Sequence, residues 1–352
     1  MSKKQNYRKI YRESPTKGNI YRDKLYRQLQ DLIRKKQKEA DSHRQHFFQP
    51  DLSSLKTYLS SVECYREKLK ELLGWPLTLK TEGKTHLLWR KKVTVDACGQ
   101  IERIWIETGL GTGIYGLFFQ PFSASRWPLV ISQHGGGGTP ELTAGFFGSA
   151  NYNEMTRRVW KKGIAVWAPQ LFLWGKDFGV QCDHLSLDRK WKHLGGSLAA
   201  LEIYRLQKSL DVLLQFPEID RKRVGMIGLS YGGFYTLLLA ALDTRIKVAV
   251  SSCWFNNRFL YDFGDASWFD SAKFFLDAEI ACLVCPRPLY IEVGRKDPLF
   301  LVQHARSEQK KVAAVYKKLQ RPENFVYREF AGGHELDIEE KNIDFLLKHL
   351  QG

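Results

Sequence analysis

The chain has 352 residues, of which 43% are hydrophobic, 13% aromatic and 26% charged; this globular composition supplies a substantial core and excludes wholesale disorder and fibrous repeats. No apolar run approaches the roughly 18 residues that cross a bilayer, and the opening MSKKQNYRKIYRES lacks the apolar stretch of a secretion signal, so a cytoplasmic protein is expected. The net charge of +16 is lopsided: residues 1–50 hold fourteen Lys/Arg against five Asp/Glu, a net +9 (14 − 5), which leaves +7 for everything after them (16 − 9).

Tyr7, Tyr11, Tyr21 and Tyr26 stand among these basic residues, a mixture that can stack bases or lie on an anionic surface. Ile20, Leu25, Leu29, Leu32 and Ile33 recur at roughly helical period, which favours a helix docking its apolar stripe on the main body or on a second copy of the chain. Residues 1–50 are therefore read as a basic helical extension and a route to homo-oligomers, with no membrane partner and nucleic acid disfavoured. Residues 52–73 read as an amphipathic helix opened by Asp51 and closed by Gly74, with Pro76 forbidding its continuation. Residues 87–95, 101–107 and 114–120 alternate in the manner of antiparallel strands joined by short turns.

From residue 129 the texture changes. Short apolar runs at 129–133, 164–168, 224–229, 247–252 and 289–293 alternate with helical segments at 151–162, 197–216, 231–242, 302–319 and 336–350. That is the α/β pattern of a mostly parallel central sheet flanked by helices. The predicted division is a helical extension over 1–50 and one α/β domain over 51–352. Two connections, 170–196 and 254–288, are long, and they fall at the carboxyl edge of the sheet, where open α/β folds bind ligands. They are expected to cover a pocket. Trp174, Trp191, Trp254 and Trp268 lie in them, and Trp254 is taken as a substrate-binding candidate offering a flat surface to a sugar or acyl group.

The segment RVGMIGLSYGG at 223–233 places Gly228-x-Ser230-x-Gly232 between a strand pattern and a helix pattern. A serine at such a bend is held in a strained conformation that only small neighbours permit, with its hydroxyl projecting above the sheet. A hydroxyl is a poor nucleophile until a base takes its proton, so a histidine and an orienting acid are required. Asp297, just past an apolar strand, and His334, on a Gly-Gly loop, follow in the order of this fold. Asp262, Asp265 and Asp270 are weaker candidates for the acid. The strand ending QHGGGG at 133–138 turns backbone amides toward the same edge. Gly136 and Tyr231 are the expected oxyanion donors, Tyr231 lying at the positive end of a helix.

Taken together, QHGGGG at 133–138, PEIDRKRVGMIGLSYGG at 217–233, CPRPLYIEVGRKDPLF at 285–300 and FAGGHE at 330–335 resemble the α/β-hydrolase superfamily, in its acetyl xylan esterase and dienelactone hydrolase-like branch. The resemblance spans about residues 87–350. It implies the α/β-hydrolase fold and a serine esterase with Ser230 as nucleophile, Asp297 as acid and His334 as base, acting on a small ester, such as an acylated sugar, with no cofactor. The alternatives are a prolyl oligopeptidase-type peptidase, whose preceding propeller repeats are missing, and a hydrolase-fold binding protein using the basic arm. Other signals carry less. Gly109-Leu-Gly-Thr-Gly113 begins like a dinucleotide loop but is followed by a strand, so it reads as a hairpin turn. Cys282 and Cys285 have zinc spacing without a second ligand pair, and no metal is expected. The six cysteines are too scattered for a disulfide scaffold.

Overall fold

The computed structural model describes residues 11–79, 83–122 and 126–351; Tyr7 lies outside them. The chain opens with a 29-residue helix, α1 (Asn19–Phe47), followed by α2 (Leu55–Ser61) and α3 (Glu63–Leu73). The single helix expected over 52–73 is thus two. Ser54, with Thr57, caps the first, while Asp51 accepts instead from the Ser53 amide. The break follows from Ser61, whose hydroxyl donates to the Tyr58 carbonyl and accepts from the Asp51 amide, a side-chain competition that disfavours continued helix.

Three antiparallel strands follow, β1 (His86–Asp96), β2 (Gly99–Glu107) and β3 (Gly113–Pro121), and then β4 (Trp127–Gln133). Next come α4 (Pro140–Thr143), α5 (Met155–Trp160), β5 (Ala165–Pro169), α6 (His184–His193), α7 (Leu198–Leu213), β6 (Ile219–Leu229), α8 (Tyr231–Leu242) and β7 (Val248–Ser252). The chain continues through α9 (Ser271–Phe274), α10 (Asp277–Val284), β8 (Leu289–Gly294), α11 (Val302–Lys318), β9 (Phe325–Phe330) and α12 (Lys341–Leu350). The nine strands form one sheet in the order β1-β2-β3-β5-β4-β6-β7-β8-β9. The first three links are antiparallel and the remaining five parallel, the mixed sheet that the hydrophobic runs imply.

Two predicted helices start late for tertiary reasons. The helix expected from 151 begins at Met155, after Asn153 and Glu154 adopt positive φ of 47° and 52°. The helix expected from 336 begins at Lys341, because the Leu336 amide donates to the Asn151 carbonyl and the Asp337 amide to Glu292. The 254–288 connection is largely helical, holding α9, α10 and two short 3₁₀ turns. Apolar side chains cover both sheet faces in two clusters. The strand order reverses between β4 and β6: from β4 the chain moves outward to β5 on one side, then returns to the other. The crevice at the carboxyl ends of these two strands is where such sheets bind ligands. No helix among the described residues is long and apolar enough to cross a membrane.

Candidate active site

The crevice is built from two sharp turns. At the end of β6, Ser230 has φ 59° and ψ −126°, a conformation costly for any residue with a side chain. Its amide donates to the Ser252 carbonyl at 2.9 Å and its carbonyl accepts from the Phe234 amide at 3.0 Å, so the bend is fixed by β7 and the first turn of α8. A Cβ at Gly228 would lie 2.2 Å from the Gly232 oxygen, and one at Gly232 would lie 2.1 Å from the Gln133 oxygen. Glycine at both positions is what lets β4, β6 and α8 meet here.

Beyond β4, the glycine loop wraps against this bend. His134 is fully buried; its Nδ1 lies 2.8 Å from the Gly135 carbonyl and its Nε2 accepts from the Leu171 amide at 3.0 Å. Burial pushes its pKa down to about 4, so it is a neutral pin holding the loop to the residues after β5. The Gly135 amide donates to the Tyr152 hydroxyl, the Gly137 amide to the Leu173 carbonyl and the Gly138 amide to the Gly135 carbonyl. Among the described residues the Gly136 amide has no such acceptor. A Cβ at Gly136 would sit 3.3 Å from the Tyr231 ring, and one at Gly135 would sit 3.5 Å from Ser230 Oγ. The Tyr231 amide is in the first turn of α8, where backbone donors have no partner within the helix.

Opposite, His334 Nδ1 and Asp297 Oδ2 are 2.8 Å apart. Asp297 is buried, and its Oδ1 accepts from the Leu299 and Phe300 amides at 2.8 and 3.2 Å. One carboxylate thus shapes the turn after β8 and engages the imidazole through Nδ1. The loop bearing His334 is held from three sides: Asn151 Nδ2 donates to the His334 carbonyl, Gly333 donates to Glu335, and the buried Glu292 receives the Asp337 amide and the Asn342 side chain. Burial raises the Glu292 carboxyl to about 7 despite these donors. Cys253 directly follows Ser252, the partner of the Ser230 amide, and its Sγ contacts the Gly333 and Glu335 carbonyls. The serine bend and the histidine loop therefore share one support, although no hydrogen bond joins Ser230 to His334 among the described residues.

Donor atoms of Cys253, Asp297 and His334 lie within 4.8 Å of one another, the one described cluster with mixed metal-ligand chemistry. Burial pushes the Cys253 thiol well up, which opposes the thiolate that a metal would need. Cys282 and Cys285 are likewise buried thiols with raised pKa values.

One polar cluster escaped the sequence reading. Asp265 accepts from the Tyr231 hydroxyl at 2.5 Å through Oδ1 and faces His184 Nδ1 at 2.6 Å through Oδ2. This joins the two long connections, 170–196 and 254–288, directly over the residue that follows Ser230. The hydrogen bond to Asp265 raises the His184 pKa; burial alone would raise that of Asp265, but its bonds to His184 and Tyr231 outweigh this and hold it low. Asp265 is thus committed elsewhere, Asp270 pairs with Lys273 and Asp262 is exposed. Asp297 alone of the four acids touches His334. Trp254 is 1% exposed and sits behind Tyr231, packed on Phe234, Phe263 and Phe300, so it backs the crevice wall. Trp268 is also buried, under the Arg258 guanidinium, and Trp191 packs on Trp75. Trp268 nonetheless borders the groove beside α1, and Trp174 lines a second open cleft. That cleft, of about 750 Å³, lies on the far side of the glycine loop and includes Arg103, Tyr115, Glu141, Phe172 and Phe178.

A mixed sheet with parallel centre, a serine bend after its central strand, a glycine loop beside it and an Asp–His pair on the following edge define an α/β-hydrolase. The chain belongs to the dienelactone hydrolase family, whose model matches residues 116–321. YtaP of Bacillus subtilis (strain 168), named as a hydrolase, is 32% identical over 130 residues, 35% of this chain and 44% of YtaP; the match spans less than half of that relative. Among solved structures, a methylesterase superposes with TM-score 0.68 at 18% identity, covering 89% of this chain and 68% of its own. A glucuronoyl esterase from Solibacter usitatus gives 0.65 at 13% identity, covering 86% and 95%. A Bacteroides fragilis protein assigned as an acetyl xylan esterase gives 0.64 at 17%, covering 80% and 79%. At such identities these structures establish the shared fold.

Proposed function

We propose that the protein is a serine carboxylic ester hydrolase working through an acyl-enzyme. The observation that carries this reading is the 2.8 Å Asp297–His334 contact on the sheet edge that also carries the strained Ser230 bend. With Nδ1–H committed to Asp297, His334 presents an unprotonated Nε2, the tautomer that a general base requires. Ser230 Oγ attacks the ester carbonyl carbon as its proton passes to Nε2. The carbonyl oxygen, now negative, is held by the amides of Tyr231 and Gly136, each such donor contributing about 3 to 4 kcal/mol to the transition state. The tetrahedral intermediate collapses; the alcohol leaves with the Nε2 proton, and Ser230 keeps the acyl group. Water then attacks the acyl carbon, giving a proton to Nε2, which returns it to Oγ as the carboxylic acid departs.

The esterases that share the fold support a small ester, including an acylated saccharide, as substrate. Replacing Ser230 by Ala should reduce hydrolysis of p-nitrophenyl acetate by about a thousandfold or more, with an unchanged unfolding midpoint. Turnover close to that of the unmodified protein would remove Ser230 from the mechanism.

A further inference from the structure

Helix α1 is about 43 Å long at 1.5 Å per residue, and only its last turns rest on the body. There His43 Nδ1 meets the Lys273 carbonyl at 3.1 Å, Arg44 binds the Ala272 carbonyl and Glu279, and Phe47 packs edge-on against Phe274, Phe275 and Tyr65. The face that makes these contacts does not end where the body does. Stepping back from Phe47 by threes and fours gives His43, Ala40, Lys36, Leu32, Leu29, Leu25 and Tyr21, one continuous side of the helix. Tyr26 and Ile33 flank it.

The overhanging part of this side is bare: Tyr21, Leu25, Tyr26, Leu29, Leu32 and Ile33 are between 47% and 68% exposed. A lone helix in water gains little from its own hydrogen bonds and is held in proteins by burial of an apolar face. Leu29, Leu32 and Ile33 moreover form one wall of a groove of about 960 Å³, whose other wall includes Phe259, Tyr261 and Phe274. The apolar stripe therefore looks into a groove on its own body. A flat bilayer cannot enter such a groove. Lys36 and Lys273 line it, but so do Glu39 and Asp270, which offset them, and Arg27, Arg34 and Lys38 lie on the opposite side of the helix, so the groove offers an extended nucleic acid no basic track.

We infer that this groove is the seat of a second copy of the chain, with the two α1 helices packed antiparallel about a twofold axis near Leu29. Three observations support this occupant. The helix already docks by this same face at its C-terminal end, through His43 and Phe47, and Leu29, Leu32 and Ile33 continue that face along the groove. A twofold arrangement fills both grooves with identical contacts and leaves no open end. The six exposed side chains would cover roughly 700 Å² per subunit, and with the groove wall this approaches the roughly 800 Å² per partner of stable interfaces. The seat lies behind the candidate site: Tyr261 packs on Phe300, which packs on His334.

The test is sedimentation velocity of the full chain at micromolar concentration, comparing the unmodified protein with the double variant Leu29→Glu, Leu32→Glu. The unmodified protein should sediment at twice the mass of one chain. The double variant should be monomeric, its dimer weakened by about a hundredfold or more, with unchanged thermal midpoint and unchanged hydrolysis of a small ester, because both leucines are exposed in the single chain. In a Cys64→Ser background, Leu29→Cys should oxidise to a covalent dimer and Arg34→Cys should not. An unmodified protein that stays monomeric, a double variant that still dimerises, or cross-linking at Arg34→Cys equal to that at Leu29→Cys would each overturn the inference. So would a monomer that cosediments with phosphatidylserine vesicles and loses this in the double variant.

Discussion

Replacing Tyr231 by Phe removes one hydroxyl and nothing else, which makes it the cleanest probe of the junction between the two long connections. Asp265 is 3% exposed and holds two donors, the Tyr231 hydroxyl at 2.5 Å and His184 at 2.6 Å. Water cannot readily replace the lost donor at a carboxylate oxygen this deeply buried. Hydrogen bonds to charged groups contribute about 1.5 to 3 kcal/mol, so a loss of about 2 kcal/mol is expected, with no cavity term because the ring remains. The pH dependence has a definite sign. The bonds from His184 and Tyr231 lower the Asp265 carboxyl pKa against the opposing effect of burial, so its stabilisation is present above the ordinary carboxylate range and lost as pH falls through the lowered folded value. His184 is raised by its bond to Asp265; its share is complete below the ordinary imidazole range and lost as pH rises through the higher folded value. The junction is strongest between those two limits. Urea unfolding at several pH values measures it: the deficit of Tyr231→Phe should be near 2 kcal/mol at neutral pH and shrink on acidification as Asp265 protonates. A deficit below about 0.5 kcal/mol at neutral pH, or one that grows in acid, would refute the assignment of Asp265 as an ionised acceptor. Because the hydroxyl bond to Asp265 anchors the ring beside the Tyr231 amide, its loss should also lower the turnover number by up to about tenfold with KM unchanged.

Two further outcomes follow from the supports of His334. Asp297→Asn should lower the turnover number by about a thousandfold to ten thousandfold while KM changes little, because the imidazole loses the partner that fixes its tautomer; steady-state kinetics on p-nitrophenyl acetate decides this. Glu292, raised by burial from 4.5 to about 7, keeps a proton in the folded chain that it loses in the unfolded chain between those values. Stability of the unmodified protein should therefore decline across that interval as pH rises, and Glu292→Gln should flatten the decline and be the more stable form at pH 8, by up to about 3 kcal/mol. Parallel unfolding curves for the two proteins from pH 5 to 8 would contradict it.

The sequence exposed the parts of this molecule that are local. The strand runs and the Gly228-Ser230-Gly232 bend are each dictated within a few residues, and the chain order of Ser230, Asp297 and His334 follows from the topology. What it concealed depends on partners far apart in the chain. Asp265 and His184 are 81 residues apart and meet only because two insertions fold over the same edge. The late starts of α5 and α12 have the same cause: Asn151 and Leu336 bind each other rather than their own helices. Trp254 illustrates a different limit, since an aromatic residue in a pocket-forming segment reads alike whether it faces substrate or backs the wall. The α1 stripe was visible as a helical period, but its division into a docked end and an overhanging end was not.

Covalent labelling with a fluorophosphonate, followed by mass spectrometric location of the adduct, tests the central claim most directly. A single phosphonylated residue is expected, Ser230, with labelling strongly slowed in His334→Ala and loss of ester hydrolysis in proportion to labelling. An adduct elsewhere, or full hydrolysis by protein quantitatively labelled at Ser230, would contradict it.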